Sequence, residues 1–539
     1  NLRRTKEALM YHQRWCLENK QVALRFPKLT EKIRFKNYNH SMRVPFIIYA
    51  DFESYLKRVH SCDPRSDKSY TEVKQHHKPM GFSFRVVSSL GEEHKKKVYI
   101  AKNDDEVENI GLVFVREVEK EVRKLYQAHK FKKLMRITVG EEQRYRAETQ
   151  CHICEKELGD DRVRDHCHLT GEYRGAAHNK CNLNYKVPKH YPIFFHNLSN
   201  YDAHLFIKSL GTDEGEINCI PNNEEKYIAF SKNILVDTFI GRNRETGGPQ
   251  EVYRELRFLD SYKFMGSSLD KLTSYLVDED RKRLKRKFSG EKLKLVSRKG
   301  VFPYEWFDDL VKLEAARLPP KEEFWSELNL RHISDEDYEH AQRVWDVFEM
   351  KTFRENLQLY LETDVDHLTD VFERFWDVCM NNYGLDPAWY YTAPGLSWDA
   401  MLKITKLELD PIVDPDTLMF FERQVRGGVS MITTRYAKAN SEYMKEYDES
   451  KPDSFIQYLD ANNLYGRAMS QPLPVENFRW MTVEQLENWQ DMPCVLEVDI
   501  EYPKEIHDSH NDYPFCPEKK NINGVEKLVP TLGVKERYV

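Results

Sequence analysis

Five side chains that could carry out acid–base or metal chemistry lie in three separate segments of the chain. Asp51 and Glu53 stand in IIYADFES, Asp202 stands in HNLSNYD, and Tyr360 and Asp364 stand in YLETD. Carboxylates are the ligands that Mg²⁺ prefers, and a pair of bound Mg²⁺ ions can stabilise both the attacking and the leaving oxygen of a phosphodiester. If the fold brings the three segments together, the sequence predicts a metal-dependent nuclease.

Two local patterns place these side chains on regular elements. Asp51 and Glu53 follow an apolar run at residues 46–50, and positions i and i+2 of a strand share one face. Tyr360 and Asp364 lie four positions apart in a segment whose apolar residues recur at helical spacing, so both project from one face of a helix. Taken alone, each carboxylate has the plainer interpretation of a solvated loop charge.

The order of the three motifs resembles the proofreading domain of family B DNA polymerases, which runs Asp-x-Glu, Asn-x(2–3)-Tyr/Phe-Asp and Tyr-x3-Asp. This resemblance implies an α/β fold with an RNase H-like 3′-5′ exonuclease domain that shortens single-stranded DNA. It also implies that four carboxylates hold Mg²⁺ or Mn²⁺ and that a tyrosine orients the attacking water. These residues are Asp51, Glu53, Asp202 and Asp364, with Tyr360 as the tyrosine.

Composition limits the class of protein. The chain has 82 Lys and Arg against 88 Asp and Glu, a net charge of −6, which excludes a wholly basic nucleic-acid coat but leaves room for a local basic channel. Mean hydropathy is −0.72, and no apolar run approaches the roughly 18 residues of a membrane span. We therefore expect an intracellular protein without a membrane partner, nuclear if the host is eukaryotic.

An inserted module with a zinc site is predicted between the first two motifs. The ten cysteines of the chain are unevenly spread, which favours a metal site over a disulfide framework. Cys151 and Cys154 form one close pair, and His178 and Cys181 form a second. Three thiolates and one imidazole are a typical tetrahedral set for structural zinc. A zinc ribbon without catalytic activity is the alternative.

The residues between the two pairs resemble the endonuclease VII recombination nucleases of bacteriophages, which are His-Me finger enzymes with a zinc-bound ββα module. The resemblance rests on the run Asp-His-Cys-His at residues 165–168 and on Asn182 directly after the last zinc ligand. It implies that His166 is the general base and that Asp165 and Asn182 hold one Mg²⁺ ion. His168 has either an assisting role, or a structural or phosphate-contacting one.

Further candidate DNA contacts follow the second motif. In the polymerases that this chain resembles, the amide of Asn197 touches the single strand. Ser268 and Leu269 in FMGSSLDKL and Lys299 in RKGVFPY are similar to primer-gripping motifs of protein-primed family B enzymes. A Ser-Leu pair on a helix is otherwise a cap or core feature.

A strongly basic run lies between these motifs. Residues 281–300 carry ten basic side chains and one acidic side chain. Such a run is usually a solvated face or a disordered loop. Its place between two candidate DNA-gripping motifs also makes it a candidate for phosphate contacts.

The last part of the chain resembles the start of a polymerase domain. Gly427 and Gly428 are similar to the Tyr-x-Gly-Gly linker element, whose glycines let backbone approach phosphate. Asp460 follows a predicted strand at residues 455–459 in a segment similar to the first palm motif. The resemblance implies that Asp460 binds the polymerase Mg²⁺ and that Tyr465 packs under the incoming nucleotide. A strand-end turn is the alternative role of Asp460.

The second palm carboxylate motif is not found before residue 539, so we expect a fragment that does not extend a primer by itself. At the other end, Leu9, His12 and Cys16 resemble the second half of a zinc finger. Four segments are predicted: an N-terminal segment at 1–43, the exonuclease domain at 44–376, the insert within it at 143–188, and the start of the polymerase domain at 377–539.

The combination resembles the replicases of Polinton-type (Maverick-like) self-synthesising transposons and related viruses. That resemblance implies DNA as partner, with single-stranded 3′ ends, primer-template and possible branched forms, together with dNTP in the complete protein and a possible terminal protein. Two other hypotheses remain open. The chain is either a domesticated, catalytically inactive DNA-binding scaffold, or a branched-DNA endonuclease in which the insert is the working enzyme.

Overall fold

The computed structural model describes residues 25–28, 30–59, 73–223, 226–239, 249–327 and 329–538, together with single positions before residue 25. The chain divides into two compact units. One consists of Phe35–Lys406, and the other combines Asn1–Arg34 with Leu407–Val539. His12 and Cys16 of the predicted zinc-finger remnant lie outside the described residues.

The first unit is built on a mixed sheet of seven strands. Its strands are β1 Phe46–Arg58, β2 Gln75–Ser88, β3 Lys97–Ile100, β6 His190–Phe195, β7 Ile217–Pro221, β8 Tyr227–Phe239 and β9 Gln250–Asp260, and two shorter strands, β4 Val163–His166 and β5 Tyr173–Ala177, form a separate hairpin. The order in the sheet is β3-β2-β1-β6-β9-β8-β7. The neighbours β1, β6 and β9 run parallel, and all other neighbours run antiparallel.

Ten helices of the first unit are described. They are α1 Asp104–His129, α2 Val139–Ala147, α3 Asn179–Asn184, α4 Asp202–Phe206, α5 Leu269–Ser274, α6 Lys282–Lys287, α7 Gly290–Val296, α8 Asp335–Val347, α9 Phe353–Tyr383 and α10 Ala393–Thr405; a two-strand pair, β10 Trp325–Ser326 and β11 Arg331–His332, completes the unit. Parallel neighbours such as β1 and β6 need crossover connections, and α1 with the insert lies in the first of these.

Both faces of the central strands are buried. On one face, Phe52 packs edge-on against Phe114 of α1 at a centroid distance of 4.9 Å. On the other face, Phe194 of β6 lies 4.1 Å from Phe372 of α9. This explains why the strands read as continuous apolar runs, since a parallel sheet covered by helices on both faces has no solvent-facing side.

Local capping fixes where the long helices begin. Asn103 accepts a hydrogen bond from the Glu106 backbone N–H at the start of α1, and Thr352 with Glu355 forms a capping box at the start of α9. Such caps satisfy backbone donors that have no partner inside the helix. The register of α9 is thereby set seven residues before Tyr360.

The insert is a small folded module between α1 and β6. Helix α2, the β4–β5 hairpin and α3 follow one another, and β4 pairs with β5 so that Asp165 faces Gly175. Its apolar core is only Cys151, Leu158, Ala176 and Ala177 with a few half-buried neighbours. A core of this size is too small to stabilise a module by burial alone.

The basic run is ordered rather than a disordered loop. It forms α6 and α7, and Arg283 is largely buried, with its guanidinium 3.4 Å from Asp370 Oδ1 and 3.3 Å from Glu373 Oε2 of α9. Lys287 pairs with Glu362 of the same helix. The interpretation as a solvated face is therefore wrong for Arg283, because buried acidic groups on α9 pair with it, whereas Lys287 stays exposed.

The second unit contains shorter elements. They are α11 Pro415–Gln424, α12 Leu464–Met469, α13 Val483–Glu487, α14 His507–His510, β12 Val498–Ile500, β13 Glu518–Ile522, β14 Val525–Val529 and β15 Lys535–Tyr538. The prediction of a strand at residues 455–459 is wrong, since these residues are irregular and exposed, with Tyr458 at 93%. A strand needs a pairing partner, and none of the residues described in this unit pairs with that segment.

The predicted domain boundaries stay predictions. The first compact unit continues to Lys406, whereas residue 376, the predicted end of the exonuclease domain, lies inside α9. Among the helices of the described residues, none is both long and apolar enough to cross a membrane.

Candidate metal centres

Three of the four predicted exonuclease carboxylates meet at one point. Asp51 and Glu53 come from β1 and Asp364 comes from α9, and one ligand oxygen of each lies within 4.8 Å of the others. The pairing register of β1 with β2 shifts directly after Glu53. The i, i+2 spacing of Asp51 and Glu53 on β1 and the position of Asp364 on α9 thus bring the three carboxylates together.

Asp202 lies beside this cluster but outside the three-residue set. It is the first residue of α4, is 3% exposed, and its Oδ1 accepts a hydrogen bond from the Phe52 backbone N–H at 3.3 Å. Phe52 is the residue between Asp51 and Glu53. The second motif is thus tied directly to the first, although Asp202 is not among the carboxylates whose ligand oxygens all lie within 4.8 Å of one another.

Asp260 positions the second motif and was missed by the sequence analysis. It ends β9, is fully buried, and accepts hydrogen bonds from the backbone N–H groups of Asn197 at 2.8 Å, Ser199 at 3.1 Å and Tyr262 at 3.0 Å. The loop that leads to Asp202 is fixed by these bonds. An acidic residue at the end of the apolar run RFLD is the signal that could have identified it, because Asp51 has the same context.

Burial and mutual repulsion disfavour ionisation of the clustered carboxyls. Burial, followed by the charge of Asp364, raises the pKa of Asp51 to about 7. Burial and Asp51 raise the pKa of Glu53 and of Asp202 well above their ordinary values. Carboxylates held this close favour a bound proton or a bound cation.

A single lysine partly offsets this negative charge. Lys299 Nζ lies 3.1 Å from Asp364 Oδ2. Burial opposes the charge on Lys299, but Asp364 and the other acidic groups outweigh it and raise the pKa of Lys299 well above its usual range. Asp364 Oδ1 is buried and has no hydrogen-bond partner among the described residues. This unsatisfied oxygen, facing two further carboxylates, fits a divalent cation.

Two phenols, not one, face the cluster. The hydroxyls of Tyr304 and Tyr360 lie 3.1 Å apart, and the Tyr304 hydroxyl donates to Glu53 Oε1 at 3.5 Å. Burial raises the pKa of both phenols well above the ordinary value, so both remain hydrogen-bond donors. Tyr304 was missed because only the tertiary fold brings RKGVFPY against Tyr360.

Gly300 allows this close approach. A Cβ at residue 300 would lie 2.8 Å from Cδ2 of Tyr360, which is closer than carbon atoms pack. The loop that carries Lys299 and Tyr304 can therefore lie directly on the Tyr360 ring only because residue 300 has no side chain.

The other residues predicted to contact DNA are Ser268, Leu269 and Asn197. Ser268 caps α5, accepting from the Lys271 backbone N–H at 3.3 Å, and Leu269 is 8% exposed; these are the cap and core roles that the sequence analysis left open. Asn197 adopts a left-handed conformation with φ of 72°. His196, which precedes Asn197, connects this segment to the one that carries Ser268, because its Nε2 donates to the Ser267 carbonyl at 2.9 Å.

The four predicted zinc ligands form the second cluster. Ligand atoms of Cys151, Cys154, His178 and Cys181 all lie within 4.8 Å of one another. His178 Nε2 donates to the Glu157 carbonyl at 2.9 Å, which leaves Nδ1 directed at the thiols, 3.4 Å from Cys154 Sγ. This outer hydrogen bond is the usual way in which a metal-binding imidazole is oriented, so the donor set fits a zinc ion.

The predicted magnesium ligand of the insert already has two partners. Asp165 is 1% exposed; its Oδ1 accepts from Arg174 Nη2 at 2.7 Å and its Oδ2 accepts from His152 Nε2 at 2.9 Å. Burial favours the protonated form, but these hydrogen bonds outweigh it and lower the pKa of Asp165. A cation at Asp165 would require one partner to move away. His152 could not be singled out from the sequence, because it stands between two zinc ligands.

His166 and Asn182 lie near this group. His166 is half-buried with its ring centroid 4.8 Å from that of His168. Asn182 lies on α3, where its backbone N–H bonds to the His178 carbonyl at 2.9 Å. Among the contacts that the described residues make with Asp165, none comes from these two side chains, and their joint role stays a prediction.

The predicted polymerase residues belong to the second unit. Asp460 is exposed and irregular, and Tyr465 on α12 is 82% exposed. Gly427 and Gly428 lie in an irregular segment. Among the described residues, the acidic groups that could share a metal ion do not include Asp460.

Two family models match the chain. The model of DNA polymerase type B, organellar and viral, matches residues 182–536, and the model of recombination endonuclease VII matches residues 128–202. Fold and matches together define an enzyme class that acts on DNA. Because the first match covers more than half of the 539 residues, the chain belongs to the type B DNA polymerases of organelles and viruses, which are DNA-directed DNA polymerases.

The matches agree with both resemblances seen in the sequence. The polymerase range includes Asp202, Lys299, Asp364 and Asp460, and the endonuclease VII range contains the whole predicted insert. No curated protein and no solved structure matches the chain significantly.

Proposed function

We propose that the first unit is a 3′-5′ exonuclease that shortens single-stranded DNA with Mg²⁺ or Mn²⁺. The observation that carries this proposal is the convergence of Asp51, Glu53 and Asp364 beside Asp202, with two phenols and one lysine at the same place. Membership of the polymerase family supports it, because a proofreading site acts on the strand that the polymerase extends.

The sheet supports an RNase H-like domain for this activity. β2 runs antiparallel to its neighbours β3 and β1, and β6 and β9 continue in parallel with β1. In this arrangement Asp51 and Glu53 lie on β1, between β2 and β6, and α9, which carries Asp364, packs against β1. Two of the three elements that would contribute metal ligands, β1 and α9, therefore pack against each other.

Each residue has a defined task in the proposed reaction. The carboxylates Asp51, Glu53, Asp202 and Asp364 would hold the cations, whose chemistry is to activate water and to stabilise the leaving oxygen. Tyr360 and Tyr304, as paired donors, orient water and a phosphate oxygen. Lys299 places a positive charge beside the scissile phosphate, Asn197 contacts the single strand, and the cap residue Ser268 and the buried Leu269 fix the start of α5.

The test is digestion of a 5′-labelled single-stranded oligonucleotide in Mg²⁺. The wild-type chain should shorten it stepwise from the 3′ end, and Asp51→Ala/Glu53→Ala should not. The Glu214→Ala variant, which changes an exposed acidic residue outside the cluster, is the matched control. Absence of cleavage by the wild-type chain would instead favour the inactive DNA-binding scaffold.

A second candidate function is endonuclease activity of the insert. The match to recombination endonuclease VII and the intact set of zinc donors favour it. His166 would act as the general base, and Asp165 with Asn182 would hold Mg²⁺ after Arg174 or His152 has moved away. Loss of branched-DNA cleavage in His166→Ala, with 3′ shortening unchanged, is the expected result.

The second unit is proposed to begin the polymerase domain. Asp460 would bind Mg²⁺, Tyr465 would contact dNTP, and Gly427 and Gly428 would lie along the template. Protein priming by a terminal protein, and an origin in a Polinton-type transposon or related virus, rest on the resemblance in sequence. The corresponding test is primer extension on primer-template DNA by a chain that contains both palm motifs, which should be lost in Asp460→Ala.

A further inference from the structure

A short segment before the insert exposes large apolar side chains. Residues 131–136 connect α1 to the insert, and within them Phe131 is 76% exposed and Leu134 is 88% exposed. Exposure of two large apolar side chains within four positions leaves unfavourable apolar surface in water, because each would gain free energy from burial. The segment therefore has the character of a contact surface.

Cations alternate with these apolar residues. Lys132, Lys133 and Arg136 are all exposed, and in the part of the chain that the structure describes none of the three side chains has an ion pair or hydrogen bond. Lys130, by contrast, is paired with Asp237 at 3.0 Å. Three cations without counter-charges on so short a segment attract a polyanion.

Backbone hydrogen bonds hold residues 131–136 against the turn that follows β4, the strand that ends at His166. The Lys133 N–H donates to the His168 carbonyl at 2.8 Å, and the Arg136 N–H donates to the Gly171 carbonyl at 2.7 Å. Gly171 has φ of 83°, and a Cβ there would lie 2.5 Å from the Leu134 carbonyl oxygen. The segment is thus fixed beside His166 and His168.

One acidic residue, Glu172, lies opposite Arg136 of this segment. Glu172 forms a bridge with Arg136 through the backbone, and its carboxylate accepts from the Thr170 hydroxyl at 3.1 Å. Three positive charges against one negative charge leave a local excess of positive charge. The apolar side chains stand within that positive surface.

We propose that residues 131–136 form a DNA-contacting loop that recognises an unpaired base. Lys132, Lys133 and Arg136 contact phosphates, while Phe131 and Leu134 pack on a base face. A continuous duplex hides its base faces in the stack, whereas a bulge or branch point exposes them, and aromatic side chains stack on exposed bases. This inference rests on the proposed role of the insert on DNA and names the feature of that DNA which is bound.

The test is fluorescence anisotropy with two labelled DNA dumbbells, one continuous and one with a three-base bulge. Hairpin-closed ends exclude the exonuclease, and Mg²⁺ is omitted so that nothing is cut. The full-length chain is compared with the apolar-loop variant, Phe131→Ser/Leu134→Ser, and the basic-loop variant, Lys132→Ala/Lys133→Ala/Arg136→Ala. Val139→Ser and Lys95→Ala are matched controls, because both residues are exposed and lie outside the loop.

The two loop variants should fail in different ways. The apolar-loop variant should lose at least five-fold affinity for the bulged dumbbell and less than two-fold for the continuous one. The basic-loop variant should bind both more weakly, with a slope of log affinity against log salt reduced by about 2 to 3, since each phosphate contact contributes about 0.9. Equal losses on both DNAs in the apolar-loop variant, or an unchanged salt slope in the basic-loop variant, would overturn the proposal.

Cleavage data separate this inference from the proposed nuclease. If the loop variants behave as expected but His166→Ala leaves branched-DNA cleavage unchanged, the loop binds DNA and the endonuclease proposal is wrong. If His166→Ala abolishes cleavage and both loop variants bind as the wild type does, the loop inference alone is wrong. Zinc content measured for each variant shows that the insert is folded.

Discussion

Lys299 is the one cation seen within hydrogen-bond distance of the carboxylate cluster among the described residues. Its Nζ contacts Asp364, whose other oxygen has no hydrogen-bond partner among those residues. Removal of the charge would leave the buried carboxylates to repel one another and would remove a positive charge from the path of the scissile phosphate.

Lys299→Met should therefore slow 3′ shortening of single-stranded DNA by at least 10-fold, which corresponds to about 1.4 kcal/mol of transition-state stabilisation. The unbranched side chain preserves most of the packing against Tyr360. Lys294→Met, which changes an exposed residue of α7, is the control and should be neutral. Equal rates for the two variants would exclude a catalytic role of Lys299.

Protons should compete with the metal ion for the carboxylates of the Asp51–Glu53–Asp364 cluster. Because the pKa of Asp51 is raised to about 7 by burial and Asp364, the metal-free cluster retains protons near neutral pH, and these must leave when a cation binds. The Mg²⁺ concentration that gives half-maximal exonuclease rate should fall as pH rises from 6.5 to 8. A requirement that is independent of pH over this interval would contradict the assignment of Asp51 as a ligand.

At the scale of elements, the site depends on how loops are attached to strand ends. Asp260 at the end of β9 accepts three backbone hydrogen bonds, two of them from the loop that precedes Asp202. Loss of a buried acceptor leaves those donors unsatisfied, each at a cost of about 1–3 kcal/mol.

Asp260→Ala should lower both stability in urea unfolding and exonuclease rate, whereas Asp260→Asn, which keeps one acceptor oxygen, should recover part of both. A variant whose stability falls while its rate stays normal would show that Asp260 supports the fold without positioning the second motif.

The insert illustrates the dependence of a small element on metal. Its core is limited to four fully buried residues, so the bond energy of a bound zinc ion should supply much of its stability. Cys181→Ser should lower the zinc content and make residues 131–186 sensitive to protease, with 3′ shortening retained. Protease resistance that is independent of zinc would contradict this expectation.

Local periodicity predicted the elements that carry the site, and tertiary contacts decided the rest. The two-residue period placed Asp51 and Glu53 on β1, and the four-residue spacing placed Tyr360 and Asp364 on α9. Tyr304 was not predictable, because its partners lie 56 and 251 positions away in sequence. The predicted strand at 455–459 failed for a related reason, since an apolar run becomes a strand only where a neighbour pairs with it.

The hydrogen-bond partners of Asp165 were likewise not predictable from the sequence. The motif Asp-His-Cys-His identified the candidate site of the insert, but only the hairpin register brings Arg174 to Asp165. His152 reaches the same carboxylate from the zinc knuckle. Spacing identifies which residues are able to bind metal, and packing determines whether their oxygens are free to do so.

At the scale of the whole molecule, the chain combines a family B polymerase match with an endonuclease VII match inside one sequence. The two candidate nuclease sites use different residues and need different DNA. An exonuclease requires a free 3′ end, whereas an endonuclease does not. This difference allows the two activities to be separated in one experiment.

The most direct measurement compares a linear, 5′-labelled single strand with the same strand closed into a circle, using the His166→Ala variant in Mg²⁺ so that the insert is inactive. The proposed exonuclease should shorten the linear strand one nucleotide at a time and leave the circle intact. Cutting of the circle, or a linear strand that stays at full length, would contradict the assignment of Asp51, Glu53, Asp202 and Asp364 as an exonuclease centre.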